Sequence, residues 1–215
     1  MNAFDFLGHR DAVGTTVALL LLAMSVGSWV VLLWKGWLLR RASADVGRSM
    51  LAFWQAGSLQ QGQDVVRAMD REAMVLPLVE AALRQVPANQ LAAAGDRSHQ
   101  LTRVLRDALH AVLHKLQAGQ VLLATVGSTA PFVGLLGTVW GIYHALMGIS
   151  GAGQVSIDKI SGPVGESLIM TAAGLAVAIP AVLGYNILGR LIARIEADLE
   201  GFARDLRELL LTHTP

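Results

Sequence analysis

The sequence predicts an all-α integral membrane protein with three transmembrane helices and long helical extensions into the cytoplasm. The chain has 215 residues, of which 53% are hydrophobic and 15% are charged, and its mean hydropathy is +0.51. These values are typical of membrane proteins and far from the balance of a soluble domain. Three stretches are apolar enough to cross a bilayer, which takes about 20 residues per helix.

The charged residues set the predicted topology. The three predicted spans are residues 12–34, 118–147 and 163–189. Basic residues flank these spans on one side: Lys35, Arg40, Arg41, Arg48, Arg103, Arg106, Lys115, Arg190 and Arg194. Because Lys and Arg are enriched in cytoplasmic segments, residues 35–117 are predicted to form a cytoplasmic helical domain and 190–215 a cytoplasmic C-terminal helix. Residues 1–11 and the loop 148–162 then lie on the outer, non-cytoplasmic side.

The first span has one alternative interpretation, a cleaved secretory signal, because Ala23, Met24 and Ser25 resemble a cleavage site. Only Arg10, beside Asp11, precedes it as a basic residue, and its uncharged run is long for a signal. We therefore expect the span to be retained. The chain has no cysteine, which excludes disulfides, thiolate nucleophiles and cysteine-ligated metals.

Apolar residues at helical spacing continue the spans into the cytoplasm. One stripe is predicted to run directly into the second span, with Asp96 as N-cap: Leu101, Val104, Leu105, Ala108, Leu109, Val112, Leu113 and Leu116. The other continues the third span as far as residue 211: Leu188, Ile192, Ile195, Leu199, Phe202, Leu206 and Leu209. Two such stripes predict packing within the chain and between identical copies. Residues 42–86 are predicted to form shorter helices, with breaks near Gly57, Gly62 and Pro87 and a helix start or kink at Pro77.

Small residues follow one face of the second and third spans, which predicts that these are interior helices of a bundle. In the second span they are Ala130, Gly134, Thr138, Gly141 and Ala145. In the third span they are Ser167, Thr171, Gly174, Ala178 and Ala181. The first span is rich in Leu and Trp and is predicted to face lipid, with Trp29, Trp34 and Trp37 near the cytoplasmic interface.

Glu166 is the only acid in the apolar run 160–188, and an acid inside the hydrocarbon costs several kcal/mol unless it has a function. The alternative is an interfacial glutamate in the first helical turn after Pro163. Thr138 and Thr171 either line a polar cavity with Glu166 or bond to their own helix carbonyls. On an ideal helix Thr171 lies about 140° from Glu166, so Ser167 is the residue that aligns with Thr171.

Other candidate features carry less weight. Pro131 and Pro180 predict kinks in the second and third spans. His110 and His114, with Asp107, share a helical face, but no fourth ligand accompanies them, so no metal or other cofactor is predicted. His144 is expected to be an interfacial residue rather than a relay. Neither a phosphate-binding loop nor a nucleic-acid-binding face is present, and no nucleophile and base are arranged as in an enzyme.

Three motifs, in the segments 134–142, 162–175 and 178–186, closely resemble the ExbB/TolQ branch of the MotA/TolQ/ExbB proton-channel family. They read GLLGTVWGI, GPVGESLIMTAAGL and AIPAVLGYN. The resemblance implies a homopentamer in the inner membrane of a Gram-negative bacterium, around a dimer of ExbD-like single-span subunits. Proton flow there would power a TonB-like protein that reaches outer-membrane transporters of iron-siderophores and vitamins.

The resemblance also assigns residues. Glu166 matches the intramembrane glutamate of the family, and Thr138 and Thr171 match its pore threonines. Asn186 matches an asparagine after the third-span proline, while the proton-accepting aspartate belongs to the ExbD-like partner. We expect Glu166, Thr138 and Thr171 to form the proton pathway. Other residues are expected to line the pore or pack helices: Ser167, Gly134, Gly141, Gly174 and Asn186.

Leu136 and the outer segment 156–163 favour an ExbB-type subunit. The alternatives are a TolQ-type subunit that maintains the envelope through a TolA-like partner, a structural membrane scaffold anchored by Glu166, and an independent ion channel. An enzyme is the least expected class.

Overall fold

The structure is a computed structural model that describes residues 12–84, 95–150 and 157–212, apart from the side chains of 148–150, 157–160 and 163. These residues form six helices. They are α1 (Ala12–Trp54), α2 (Leu59–Met69), α3 (Leu76–Leu83), α4 (Arg97–Gln117), α5 (Gln120–Ser150) and α6 (Ile157–Thr212). Three of them, α1, α5 and α6, are long and apolar enough to cross a membrane. For the described residues, the predicted all-helical fold with three candidate membrane-spanning helices is confirmed.

The chain divides into two compact units. The first unit consists of Met1–Trp34 and Gly119–Asn186, and the second of Lys35–Ala118 and Ile187–Pro215. Helices α1 and α6 each contribute to both units. The most apolar parts of the three long helices therefore belong to one unit, and the shorter helices belong to the other.

Closely packed apolar side chains, three of them alanines, hold the first unit together. Its core cluster draws on all three long helices: Val17, Leu21, Val126, Ala130, Met170, Ala178 and Ala181. In lipid, helices associate through close packing rather than water exclusion, and alanine permits that packing. Large apolar side chains instead lie on the outside, where Leu33 is 68%, Val121 79% and Phe132 71% exposed. Such an outer surface suits lipid or neighbouring subunits.

Long leucine-rich stripes build the core of the second unit. The buried side chains of α4 in this core are Leu101, Leu105, Leu109, Val112 and Leu116. Those of α6 are Leu188, Ile192, Ile195, Leu199, Phe202, Leu206 and Leu210. Full burial of one such side chain contributes about 1.5–3 kcal/mol. Both stripes were predicted from spacing, and Leu209, which was included in the second, is only half-buried beside Leu210.

An aromatic cluster closes one part of the second unit. Phe53, Trp54 and Phe202 pack edge to face with ring centroids 5.3–5.9 Å apart, a geometry that aromatic pairs prefer. Gly62 lies against this cluster, because a Cβ there would be 2.8 Å from the ring of Phe53. The predicted break at Gly62 is therefore wrong: this glycine lies inside α2 and is needed for close packing.

Buried polar groups fix the helix ends of the second unit. The carboxylate of Asp70 accepts hydrogen bonds from the backbone N–H groups of Met74, Val75 and Leu76 at 2.7–3.0 Å, and so caps the start of α3. Lys35, which is 2% exposed, donates to the carbonyl oxygens of Lys115 and Leu116 at 2.8 and 3.2 Å. A cation at these carbonyls complements the C-terminal end of the α4 dipole.

Several helix ends differ from the sequence prediction. Residues 42–54, expected to form separate short helices, continue α1, which ends just before the predicted break at Gly57. Pro77 lies in the first turn of α3, as predicted, whereas Pro87 lies outside the described residues. Asp96 is the N-cap of α4, accepting from the His99 N–H at 2.8 Å.

Helix α4 does not run directly into the second span, as its apolar stripe had predicted. It ends at Gln117, and Gly119 adopts a φ of +87° before α5 begins at Gln120. Only glycine enters this region readily. A Cβ at Gly119 would also lie 2.9 Å from a methyl group of Val31.

The connection between the second and third spans is shorter than predicted. Helix α5 extends to Ser150 and α6 begins at Ile157, within the expected loop 148–162. Pro163 is therefore the seventh residue of α6 and not its first. Pro131 and Pro180 also lie inside continuous helices. Each of these prolines removes one N–H from the helical hydrogen-bond ladder.

Candidate functional site

The candidate site lies in the first unit, where α5 and α6 pack antiparallel at very short distance. A Cβ at Gly134 would be 2.6 Å from the carbonyl oxygen of Met170, and one at Gly174 would be 2.6 Å from that of Ala130. Real side chains do not tolerate such a contact with backbone. The two glycines therefore bring the helix backbones together, as the stripes of small residues predicted.

The same contact continues in both directions along the helix pair. A Cβ at Gly141 would collide with the hydroxyl group of Ser167, and one at Gly127 would meet the side chain of Val182. The residue numbers sum to 308 or 309 in the facing pairs Gly134–Gly174, Gly141–Ser167 and Gly127–Val182. The two glycine-to-carbonyl contacts sum to 304, because each reaches a carbonyl group about one helical turn away. The constant sum of the facing pairs defines the antiparallel register and locates every other residue of the pair relative to its partner helix.

Thr138 and Thr171 meet within this interface. Their Oγ1 atoms are 2.5 Å apart, and the Thr138 hydroxyl also lies 3.1 Å from the Ser167 carbonyl oxygen and 3.2 Å from that of Gly134. A hydroxyl group has one hydrogen to donate and can accept two hydrogen bonds. One of the two hydroxyl hydrogens therefore forms the bond between the threonines, and the other is donated to a carbonyl oxygen.

Thr138 makes the bond to its own helix that the sequence allowed, and it adds a contact across the helix pair. It bonds the Gly134 carbonyl one turn back on its own helix, and it also reaches Thr171 on the neighbouring helix. Thr138 is 7% and Ser167 6% exposed, whereas Thr171 is half-buried. The hydroxyl pair thus sits in a tightly packed, apolar setting, where hydrogen bonds are strong and unpaired polar groups are costly.

Glu166 lies on another face of α6. Its side chain is exposed in the single chain, although its neighbour Ser167 is buried. This matches the angular separation of about 140° between Glu166 and Thr171 on an ideal helix. The carboxyl group therefore belongs to a surface of the α5–α6 pair that other molecules can cover.

Asn186 is separate from this site. It is exposed and is the last residue of the first unit. Fifteen residues of helix separate it from Thr171, which corresponds to about 22 Å along the axis. The structure thus brings together Thr138, Thr171, Ser167, Gly134, Gly141 and Gly174, and it leaves Asn186 apart.

Some contributors to the site were not identified from sequence. Gly137 packs against Val17 and Met170, and Gly184 packs against Leu32, so both glycines bring α1 or α6 into the bundle. Gly137 could have been identified from its spacing, because it lies three residues from Gly134 and therefore close to the same face of α5.

Within the three described ranges, no group of three or more His, Asp or Glu side chains is arranged to hold a metal ion. His110 and His114 are both exposed on α4. What the α5–α6 pair does offer is a carboxyl group on one face of α6 and two coupled hydroxyl groups in the helix interface. Carboxylates exchange protons, and hydroxyl groups can both accept and donate them.

The sequence also resembles known proteins. A sequence model of the MotA/TolQ/ExbB proton channel family matches residues 70–201, more than half of the chain. The chain is 42% identical over 212 residues to the biopolymer transport protein ExbB of Xanthomonas campestris pv. campestris (strain B100), covering 94% of this chain and 83% of that protein.

It is 40% identical over 220 residues to the biopolymer transport protein ExbB of Neisseria meningitidis (strain Z2491), covering 98% of each chain. Similarity to the Tol-Pal system protein TolQ of Haemophilus influenzae is lower, at 29% identity over 217 residues, covering 98% of this chain and 94% of that protein.

Proposed function

This chain belongs to the MotA/TolQ/ExbB proton channel family, and from that premise we propose that it is an ExbB-type channel subunit of the bacterial inner membrane. It uses the proton motive force to energise transport through the outer membrane, for example of iron-siderophores and vitamins. The observation that carries the proposal is the 42% identity to an ExbB protein over 94% of the chain. The chain is a transport subunit and not an enzyme.

We propose that Glu166, Thr138 and Thr171 form the proton pathway. Glu166 provides a carboxyl group that binds a proton in transit, and the Thr138–Thr171 hydroxyl pair holds the adjacent polar path between α5 and α6. The 2.5 Å separation of the two Oγ1 atoms supports this assignment. Ser167 and the glycines Gly134, Gly141 and Gly174 support the pathway by holding the two helices together.

The exposed position of Glu166 and the family membership support the proposed partners. A carboxyl group exposed to lipid would cost several kcal/mol, so a protein surface must cover it. We propose that five copies of this chain surround a dimer of ExbD-like single-span subunits, whose aspartate exchanges protons with the Glu166 face. A TonB-like transducer carries the resulting motion to the outer membrane.

The available energy is sufficient for such a motor. One proton that crosses 100 mV releases about 2.3 kcal/mol, and one pH unit adds about 1.36 kcal/mol. A difference of 2.3 kcal/mol changes an equilibrium about fiftyfold, since 1.4 kcal/mol changes it tenfold. That is enough to favour one orientation of a partner helix over another.

In the proposed orientation of the chain in the membrane, the N-terminus lies in the periplasm and the C-terminus in the cytoplasm. The basic residues that follow the first span and the third span support it, because cytoplasmic segments are enriched in Lys and Arg. The second unit is then the cytoplasmic domain, and the connection between α5 and α6 is periplasmic.

Glu166→Gln tests the proposal, because it keeps the size of the side chain and removes its acid. In a strain without its own copy of the chain, we expect uptake of an iron-siderophore to fall to the level of the empty strain. The control is Ile169→Val, which changes another exposed residue of the same helix by one methylene group. Immunoblots of the membrane fraction verify equal amounts. Unchanged uptake with Gln at this position would support the structural scaffold instead.

A TolQ-type function is the second candidate, and the 29% identity to the TolQ protein over 98% of the chain favours it. The two functions differ in the partner that is energised. Deletion of the chain impairs siderophore uptake if the transducer is TonB-like, and it weakens the envelope against detergent if the transducer is TolA-like. Affinity purification of the intact chain identifies which transducer accompanies it.

A further inference from the structure

His144 lies on α5, six residues before the end of that helix, and its imidazole ring is exposed. The ring packs against Trp140 and Tyr143 at centroid distances of 4.9 and 5.4 Å. Its Nδ1 atom is 3.3 Å from the Trp140 carbonyl oxygen. The sequence alone favours an interfacial role for this histidine, whereas the register of α5 against α6 allows its position relative to Glu166 to be worked out.

The axial positions of His144 and Glu166 follow from the facing pair Gly141 and Ser167. His144 is three residues beyond Gly141, toward the end of α5 at Ser150. Glu166 is one residue before Ser167, toward the start of α6 at Ile157. Because the helices are antiparallel, both steps lead to the same end of the pair. At 1.5 Å per residue they differ by about 3 Å along the axis.

The angular positions also agree. At 100° per residue, the three residues from Gly141 forward to His144 add up to 300°, which equals a rotation of 60° backward around α5. The one residue from Ser167 back to Glu166 is a rotation of 100° backward around α6. Two antiparallel helices are related by a two-fold axis perpendicular to the plane that contains both helix axes. This rotation leaves each side of the plane in place, so a backward rotation on either helix leads to the same side of the pair. His144 and Glu166 therefore share one side of the α5–α6 pair, at nearly the same height. Both are exposed there in the single chain.

We propose that His144 is a proton-relay residue that passes protons between water at the α5–α6 connection and the carboxyl group of Glu166. This inference rests on the proposed function. Histidine is the side chain whose ordinary titration falls between pH 5 and 8, which suits it to accept and release protons. The titratable groups described on this side of the pair are Glu166 on α6 and Tyr143 on α5 itself.

The relay conserves protons at each step. A hydronium ion protonates one imidazole nitrogen and becomes water, which leaves His144 as an imidazolium ion. The N–H on the other nitrogen then transfers its proton to the Glu166 carboxylate. The products are a neutral imidazole and a carboxylic acid, and exchange with water restores the original tautomer. Trp140 positions the ring but does not take part in the transfer.

The test is proton flux into vesicles that contain the purified complex of this chain with its partner subunits, followed with an entrapped pH-sensitive dye. His144→Gln is compared with wild type between external pH 5 and 8. We expect a loss of about tenfold near pH 8, since general acid–base groups contribute at least that much. Near pH 5 we expect little loss, because hydronium can reach Glu166 directly. Tyr143→Phe, which keeps the neighbouring ring, should retain the wild-type profile.

A second variant separates a relay from a structural role. His144→Ala should regain flux at pH 8 when imidazole is added to the external buffer, which a merely structural defect would not do. The inference is overturned if His144→Gln has the wild-type pH profile, if it loses flux equally at every pH, or if imidazole has no effect on an assembled His144→Ala complex.

A wild-type complex that conducts no protons, with no effect of Glu166→Gln, would instead refute the proposed function itself. Failure of the relay alone appears as wild-type flux that depends on Glu166 but not on His144.

Discussion

The hydroxyl groups of Thr138 and Thr171 serve both packing and the proposed proton path, and paired variants separate these roles. Thr138→Val keeps the shape of the side chain but leaves the Thr171 hydroxyl without its 2.5 Å partner. An unsatisfied buried polar group costs about 1–3 kcal/mol. We therefore expect Thr138→Val to lower both the unfolding temperature of the purified chain and siderophore uptake, whereas Thr138→Ser should retain both.

The double variant with valine at both positions gives the sharper result. It removes both partners, and replacement of a complete hydrogen-bonded pair by apolar groups can be nearly neutral for stability. We expect its unfolding temperature to recover toward wild type while uptake stays low. If uptake recovers together with stability, the threonines only pack the helices and do not conduct protons.

At the level of single residues, the sequence allows the type of each group to be predicted better than its surroundings. The small residues near Gly134 and Gly174 were expected to pack, because glycine in a membrane helix permits close approach. The exposure of Glu166 could be estimated only as an angle from Thr171, since the surface that covers it belongs to other molecules. His144 was assigned to the interface for the same reason: its neighbour on α6 depends on a register that a single helix does not contain.

The close approach of α5 and α6 is the feature on which the site depends, and Gly174→Ala tests it. Its added Cβ would lie 2.6 Å from the Ala130 carbonyl oxygen, so the helices must separate. Overpacking of this kind typically costs about 1–3 kcal/mol. We expect a lower unfolding temperature in detergent and loss of uptake, because separation of the helices also breaks the Thr138–Thr171 contact.

Gly189→Ala is the matched control for this prediction. It lies on the same helix, and a Cβ there meets no atom within 4 Å. Alanine is favoured over glycine inside helices by about 1 kcal/mol, so this variant should be as stable as wild type or more so. Equal destabilisation by both changes would show that α6 responds to the loss of any glycine, rather than to the short contact with α5.

Helices were predicted well where their spacing is periodic and poorly where they end. The stripe of α4 continues in character into α5, so the periodicity gave no signal for the break at Gly119. That break depends on a positive φ, which glycine permits but does not require. At Pro163 the sequence predicted a helix start where the helix in fact continues, because proline is common in the first turn of a helix. Here the helix begins six residues earlier, at Ile157.

At the scale of the whole molecule, hydropathy and charge were sufficient to predict three spans, since a bilayer demands long apolar helices. Assembly was the part that a single chain could not supply. The exposed apolar side chains of the first unit can be covered equally well by lipid or by protein, because lipid tails are as apolar as leucine. Glu166, an acid on that exposed surface, argues for a protein cover.

The proposed ring of five copies can be tested by disulfide cross-linking, because the chain contains no cysteine that would interfere. Neighbours in a ring meet through two different surfaces. We therefore place one cysteine at an exposed position of α5, such as Val139, and one at an exposed position of α6, such as Leu168, and scan such pairs in membranes. A productive pair should give an oxidant-dependent ladder of bands that stops at five chains.

Ala130→Cys combined with the same α6 cysteine is the control, since Ala130 is fully buried and should give no ladder. A ladder that stops at two chains for every pair, or monomers throughout, would contradict the ring and leave Glu166 to be covered in another way.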